Sequence, residues 1–231
     1  MNHPAELAIH SFLQNVMLGK ASMDKATLDL VAKDVREALG RQFSGEKRTF
    51  KLRMSNIGRK KCQLWFEKNH PDEKISDSPF FLINMILGDI IEAVFKGLLR
   101  AADVKFDDSE QVSLPIKGGH VDGTYDLVLN GKVDDVKSAS PWAYENKFTD
   151  FETLQGKDSF GYVSQLVGYA KAKGVPVGGW WVVNKANGNF KYVSANNVNV
   201  EEEMDKIQDT IDYINNDEPF ERCYEPVAET Y

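Results

Sequence analysis

The chain has 231 residues with 42% hydrophobic and 27% charged side chains, which is typical of one soluble globular domain or a core with an appendage. The formal net charge of −7 disfavours a surface coated in basic residues for nucleic acid, although a local basic cleft can lie on an acidic body. No stretch approaches the roughly 18 apolar residues that cross a bilayer, and the N-terminus lacks the apolar run of a signal peptide, so we expect a cytoplasmic protein with no membrane partner.

The first part of the chain is predicted to be mainly helical. Residues 1–50 form an N-terminal helical extension, because apolar side chains recur in helical steps as far as Leu39. Residues 51–69 are predicted to be a turn that leads into a short helix with a basic start, and residues 71–79 a loop. The clearest helix covers residues 83–101, whose apolar side chains share one broad face.

The second part of the chain mixes strands and helices. The predicted elements are strands 110–116, 120–129 and 132–138, a helix over 158–173, strands 178–184 and 190–194, and an acidic helix over 199–215. Asn130-Gly131 is a strong two-residue hairpin turn between the second and third strands. Asp158 or Ser159 is expected to cap the helix that Gly174 ends, and the tail from Asp217 is expected to be loose.

This order of elements predicts an α/β fold in which helices flank a central mixed sheet. Residues 51–231 form the main domain and carry a C-terminal helix, while residues 1–50 extend it at the N-terminus. The arrangement fits many functions, so the function has to be inferred from the residues of a site.

Two acids and a lysine are concentrated on the predicted hairpin. Residues two apart on a strand point to the same face, so Asp135 and Lys137 project together. Across the two-residue turn, Asp126 falls opposite Asp135, whereas Asp122 lies four residues further along its strand. At roughly 3.3 Å per residue, Asp122 reaches Asp135 only if its strand bends or bulges, for which Gly123 is the expected place. Without that bend, Asp126 is the better-placed metal ligand.

Such a cluster suits phosphodiester cleavage. Magnesium prefers carboxylate oxygens, water and substrate phosphate as ligands, and the bound ion activates water and neutralises charge on the phosphate. A lysine beside the metal orients or deprotonates the attacking water and stabilises the developing charge. The alternative is a surface hairpin with solvated charges, because an acid-x-lysine sequence is common in proteins of every kind.

Several ordered motifs resemble those of the PD-(D/E)XK nuclease superfamily, closest to its RecB-like and phage-type exonucleases. Gly119-x-x-Asp122 followed by Asp135-x-Lys137 is similar to the second and third motifs, and Gln165-x-x-x-Tyr169 to the helix motif of RecB-type members. Upstream, Gly88-Asp89-Ile90-Ile91-Glu92 resembles the first motif. Ser55 through Phe66 resembles the segment that opens many RecB-like and CRISPR-associated exonucleases.

The resemblance implies a restriction-endonuclease-like core and a role for each matching residue. Asp122 and Asp135 would bind Mg²⁺, for which Mn²⁺ is an expected substitute, and Glu92 would complete the metal site directly or through water. Lys137 would be the catalytic lysine, and Asp126 is kept as the alternative ligand. Residues expected to contact DNA, or in the last two cases to brace the site, are Ser55, Arg59, Lys60, Lys61, Ser138, Trp142, Gln165 and Tyr169.

The cysteines separate this chain from one branch of the family. Iron–sulfur members need four cysteines, whereas this chain has only Cys62 at the upstream position and Cys223 near the C-terminus. We therefore predict no iron–sulfur cluster. A disulfide between the two cysteines is not expected in a reducing compartment.

The function that these residues predict is a metal-dependent DNA exonuclease of recombination, repair or phage DNA processing, in the cytoplasm of a bacterium or of a phage-infected host. One alternative is a sequence- or structure-specific endonuclease of the same fold. Another is a catalytically inactive DNA-binding module, which the intact acid and acid-x-lysine set disfavours. DNA is the expected partner, a recombinase or helicase is a further partner by analogy, and no oligomeric interface is legible.

Overall fold

The computed structural model describes residues 3–45, 49–73, 78–216 and 218–224. Within these ranges the helices are α1 (Pro4–Met17), α2 (Lys25–Gln42), α3 (Lys61–Asn69), α4 (Pro79–Ala101), α5 (Pro141–Asn146), α6 (Phe151–Gly156), α7 (Tyr162–Lys173) and α8 (Val200–Asn215). The strands are β1 (Phe106–Asp107), β2 (Glu110–Ile116), β3 (Gly119–Tyr125), β4 (Leu127–Leu129), β5 (Lys132–Ala139), β6 (Val177–Asn184) and β7 (Phe190–Ser194). Every helix of the described residues is too short or too polar to cross a membrane.

The central sheet has five strands in the order β1-β4-β5-β6-β7, and β2 pairs with β3 in a separate two-stranded ribbon. The β5–β6 pair is parallel, because α5, α6 and α7 form the crossover between these two strands. The other pairs in the central sheet are antiparallel. The predicted α/β fold with a mixed sheet flanked by helices is therefore confirmed.

Both faces of the central sheet are buried under helices. Trp180 and Trp181 are adjacent on β6 and both fully buried, so their side chains enter opposite faces. Trp180 packs with residues of α7 and α8 such as Leu166 and Ile207. Trp181 packs with residues of α1 and α4, among them Phe95. The sheet thus forms the middle of a three-layer arrangement, which holds the strand ends rigidly between helices.

The N-terminal helices are part of this arrangement. Ile9 of α1 is fully buried in the cluster around Trp181. Helix α2 packs on α4 so closely that a Cβ at Gly97 would collide with Val31. The predicted helical extension therefore contributes to the core and supplies one wall beside α4.

The strand predicted over residues 120–129 is two strands in two different sheets. β3 ends at Tyr125 in the ribbon, and β4 begins at Leu127 in the central sheet. Asp126 is the one residue between them, at the point where the chain leaves the ribbon. The alternation of side chains continues through this break, and for that reason the sequence alone shows one long strand.

The crossover contains more helix than predicted. No helix was predicted between the strand over 132–138 and the helix over 158–173, but Ser140 caps α5 and Asp150 caps α6 through their side-chain oxygens. The helix predicted over 158–173 begins at Tyr162. Asp158 still accepts a hydrogen bond from the Val163 N–H at 2.9 Å, and the left-handed Gly174 ends the helix as predicted.

The C-terminal segment contradicts the prediction of a loose tail over residues 218–224. Cys223 forms a disulfide with Cys62 at the start of α3, although no disulfide was expected. Trp65 of α3 donates from Nε1 to the carbonyl of Glu218 at 2.8 Å, and the Tyr213 hydroxyl donates to the carbonyl of Pro219 at 2.9 Å. The rest of the predicted tail, residues 217 and 225–231, lies outside the described residues.

Candidate active site

The hairpin of β4 and β5 brings two carboxylates together. Leu127 pairs with Asp134 and Leu129 with Lys132, the register expected for the Asn130-Gly131 turn. Both turn residues have positive φ angles of 52° and 74°, as a tight two-residue hairpin requires. This register continues to place Asp126 opposite Asp135. Asp126 is fixed at the start of β4 because its Oδ2 accepts a hydrogen bond from the Val136 N–H at 2.7 Å.

Lys137 lies beside these carboxylates and is held from three sides. Its Nζ is 2.6 Å from Asp135 Oδ2 and donates a hydrogen bond to Gln165 Oε1 at 3.2 Å. The same Nζ lies 4.9 Å from the centre of the Tyr162 ring. Gln165 in turn donates to the Tyr169 hydroxyl at 3.3 Å. The structure therefore places Gln165 and Tyr169 as residues that brace the lysine.

Glu92 on α4 faces the same cluster. Burial raises the pKa of Glu92, the charge of Lys96 opposes that rise, and the charges of Asp135 and Asp89 add to it. The Lys96 ammonium lies 3.2 Å from Glu92 and 3.2 Å from Asp108, and its side chain is only 4% exposed. The ion pair with Lys96 thus holds the Glu92 carboxylate in place. The sequence carries no signal for Lys96, because a lysine four residues after a glutamate is common on helix surfaces.

The charges within the cluster shift the pKa values of its members. Burial, and then the charges of Glu92 and Asp135, raises the pKa of Asp126 well above its usual value. Burial also raises the pKa of Asp135, against the effect of Lys137. For Lys137, burial lowers the pKa, but the charges of Asp135 and Asp126 outweigh burial and raise it above its ordinary value. Carboxylates that are forced together in this way suit a bound cation, which would offset their repulsion.

A cavity of about 330 Å³ lies against Glu92 and Asp126. Helix α2 contributes Asp34 and Arg41 to its wall, and α4 contributes Asp89. The wall of the cavity therefore carries more acidic than basic side chains and includes two of the clustered carboxylates. The N-terminal extension, for which no functional residue was predicted, forms part of the site.

Asp122 lies away from this cluster, in contrast to the expectation that it shares a metal with Asp135. It pairs with Ser113 inside the ribbon, accepts hydrogen bonds from Ser113 Oγ at 2.5 Å and Lys51 Nζ at 3.0 Å, and is four residues from Asp126. A bulge at Gly123 is absent, because the β2–β3 register runs without a shift. Gly123 is instead a close approach, since a Cβ there would collide with Met54 and Tyr169.

The register of the predicted hairpin indicates Asp126 as the ligand, whereas the resemblance to the family's second motif indicates Asp122. Gly123-x-x-Asp126 has the same glycine-to-acid spacing as Gly119-x-x-Asp122. Only the first of these two pairs ends at the residue opposite Asp135. The register of the β4–β5 hairpin decides between them.

The donor chemistry of the cluster fits a hard divalent cation. Asp135 Oδ2 is buried, and its contact with the Lys137 ammonium at 2.6 Å is an ion pair rather than a hydrogen bond of normal geometry. A carboxylate oxygen is a ligand type that Mg²⁺ prefers. Within the described ranges, no three His, Cys, Asp or Glu side chains already lie close enough together to hold a metal ion. The cluster therefore has suitable ligand types without a preformed ligand shell.

The residues predicted to contact DNA are spread around the site. Met54 and Ile57 are fully buried, and Gly58 packs backbone to backbone against Gly161, so the segment with Ser55 and Arg59 lies along the start of α7. Burial raises the pKa of Tyr162, and the charge of Arg59 is one of the effects that oppose this rise. Arg59 Nη1 lies 3.4 Å from Glu67.

The remaining predicted contacts point in different directions. Lys61 pairs with Asp209 of α8, and both Lys60 and Lys61 border the disulfide rather than the carboxylates. Ser138 lies beside Gly88, which places α4 against the end of β5. Trp142 on α5 is 63% exposed and open to a ligand.

The comparisons with known proteins indicate no activity for this chain. No family model matches the sequence, and no curated protein matches it. A solved structure described as "Crystal structure of SSO0001" is similar over 82% of this chain and 87% of the other chain, with 14% sequence identity and a TM-score of 0.43. A similarity at that level carries no argument about function, so the family resemblance stays a prediction.

Proposed function

We propose that this chain is a magnesium-dependent deoxyribonuclease with a PD-(D/E)XK core that removes nucleotides from DNA ends. The observation that supports it most is the convergence of Asp126, Asp135 and Lys137 at one end of the β4–β5 hairpin, with Glu92 of α4 facing them. A solvated surface hairpin would leave these charges in water. Here, instead, the side chain of Asp135 is only 3% exposed and that of Lys137 only 17%.

In this proposal three of the four residues hold the metal ion and the fourth contacts the reacting oxygens. Asp126, Asp135 and Glu92 would hold Mg²⁺, which when bound supplies an activated water and neutralises charge on the phosphate. Lys137 lies 2.6 Å from Asp135, where its side chain would orient the attacking water or accept its proton and would stabilise the negative charge that develops on the reacting oxygens.

The surrounding residues keep Lys137 in that position. Gln165 orients the ammonium through its amide oxygen, and Tyr169 fixes the Gln165 side chain. Both come from α7, whose core packing is rigid, so the lysine is positioned before substrate binds. A role in recombination, repair or phage DNA processing, and a recombinase or helicase partner, stay predictions.

The proposal is tested by digestion of end-labelled linear DNA beside a covalently closed circle of the same sequence. We expect loss of the linear DNA in Mg²⁺, no loss in EDTA, and an intact circle, because an exonuclease needs an end. Lys137→Ala should lower the cleavage rate by at least about 100-fold, the lower end of the rate enhancement that a positioned charge contributes by stabilising a transition state.

The other outcomes point to different activities. Cutting of the circle in Mg²⁺ would identify an endonuclease of the same fold. Binding of DNA without cleavage in Mg²⁺ or Mn²⁺ would identify a binding module. Full activity of a folded Lys137→Ala protein would remove Lys137 from the mechanism.

A further inference from the structure

A second lysine, Lys147, lies against the ring of Tyr162, which Lys137 also contacts. It follows α5, and its side chain is only 8% exposed. Lysines are almost never buried unless they are paired. The acid beside Lys147 is Asp158, whose Oδ1 is 4.0 Å from Nζ, at the limit of an ion pair.

Aromatic rings form most of the surroundings of this ammonium group. Its Nζ lies 4.5 Å from the centre of Tyr162, 5.0 Å from Phe160 and 5.9 Å from Phe148. Phe160 and Tyr162 stack with their centroids 5.6 Å apart, and Phe160 is 55% exposed. A cation next to an exposed aromatic ring is the combination that binds a single nucleic-acid strand, with the phosphate at the cation and the base on the ring.

The position of Lys147 relative to Lys137 matches such a strand. Since both ammonium groups lie within 5 Å of the Tyr162 ring centre, they are at most about 10 Å apart, a distance that one to three nucleotides of a strand can span. Asp158 neutralises Lys147 only in part, because its Oδ1 lies 4.0 Å from Nζ and makes no hydrogen bond with it. A phosphate at Lys147 would supply the missing charge-assisted partner.

We propose that Lys147 and Phe160 form a nucleotide subsite for a single DNA strand, in which Lys147 binds a phosphate near the one being cleaved and Phe160 stacks on a base. The subsite rests on the proposed function for its role in cleavage, while its existence can be measured by binding alone. It gives the substrate class as a DNA strand that is unpaired where it enters the site.

The test measures the affinity of a fluorescent single-stranded oligonucleotide by anisotropy at several salt concentrations, in EDTA so that no cleavage occurs. Lys147→Met keeps the length of the stem and removes the charge. It should reduce the slope of log affinity against log salt by about 0.7, the value for one phosphate contact on a single strand. Phe160→Ala should weaken binding about 5- to 100-fold and leave the slope unchanged.

The matched control is Lys25→Met, which removes one charge from an exposed lysine at the start of α2. Its slope should equal that of the wild type. Equal slopes for Lys147→Met, Lys25→Met and the wild type would overturn the phosphate contact. An unchanged affinity in Phe160→Ala would overturn the base contact.

A second variant covers the case in which Lys147→Met does not fold. Asp158→Asn keeps an oxygen that accepts the Val163 N–H and removes the only acid near Lys147 among the described residues. It should bind the oligonucleotide more tightly than the wild type, and equal or weaker binding would contradict the subsite. If the wild type cleaves DNA while these variants bind as it does, the subsite fails and the nuclease stands. If the wild type never cleaves while the variants differ as expected, the nuclease fails and the subsite stands.

Discussion

Asp126→Asn is expected to lower the rate of DNA cleavage by about 1,000-fold, whereas Asp122→Asn is expected to keep it within about threefold of the wild type. Asparagine at position 126 preserves an oxygen that accepts the Val136 N–H, so β4 keeps its start. It removes one of the carboxylate charges that the proposed metal site needs. Asp122 has its partners in the ribbon, and its loss changes the contact with Lys51.

The measurement is the initial rate of release of label from a linear duplex at saturating Mg²⁺. Circular dichroism melts of both variants show whether the comparison is between folded proteins. A large loss in Asp122→Asn with little loss in Asp126→Asn would mean that the ribbon residue is the ligand after all. In that case the chain around Asp126 would have to rearrange on substrate binding so that Asp122 reaches Asp135.

Asp134→Ala is expected to destabilise the protein by about 3–5 kcal/mol, among the largest effects of any single substitution in the described chain. Asp134 is 1% exposed, on the face of β5 opposite Asp135. Its Oδ1 accepts from the Gly179 N–H at 2.8 Å and the Tyr192 hydroxyl at 2.9 Å, and its Oδ2 accepts from Trp181 Nε1 at 3.1 Å. Alanine would leave all three donors buried without an acceptor.

Asp134→Asn separates the hydrogen bonds from the charge. Its amide oxygen can serve Gly179 and Tyr192, but its amide nitrogen would then face the Trp181 N–H, donor against donor. The expected loss is therefore smaller than for alanine. Urea unfolding gives both free energies, with Asp205→Ala at an exposed position of α8 as the reference. A stability of Asp134→Ala within about 0.5 kcal/mol of the wild type would contradict the role of this carboxylate.

Local patterns predicted the parts of the fold that depend on local chemistry. The hairpin register, the left-handed Gly174 and the long helix α4 follow from turn residues and from hydrophobic spacing. Helix α4 begins at Pro79 rather than residue 83, because Ser78 caps it and proline is suited to the first turn. The caps of the two short crossover helices were legible as Ser140-Pro141 and Asp150, but six-residue helices leave little periodicity to detect.

The features that the sequence did not reveal depend on tertiary contacts. Whether residues 120–129 form one strand or two depends on the ribbon and the central sheet, which compete for the same alternating segment. That competition moved the candidate ligand from Asp122 to Asp126. Lys147 carries no sequence signal either, since only the fold places it beside Tyr162. The disulfide joins positions 161 residues apart, a proximity that no spacing rule indicates.

The most direct test of the central claim is the cleavage of linear DNA by the wild type and by Asp135→Asn, each in Mg²⁺ and in EDTA. Asp135 is the residue that the acid-x-lysine motif, the hairpin register and the burial of its carboxylate beside Lys137 all indicate. We predict cleavage by the wild type in Mg²⁺ alone, and none above background by folded Asp135→Asn in either condition. Cleavage by Asp135→Asn at the wild-type rate, or cleavage that persists in EDTA, would contradict a metal-dependent nuclease built on this hairpin.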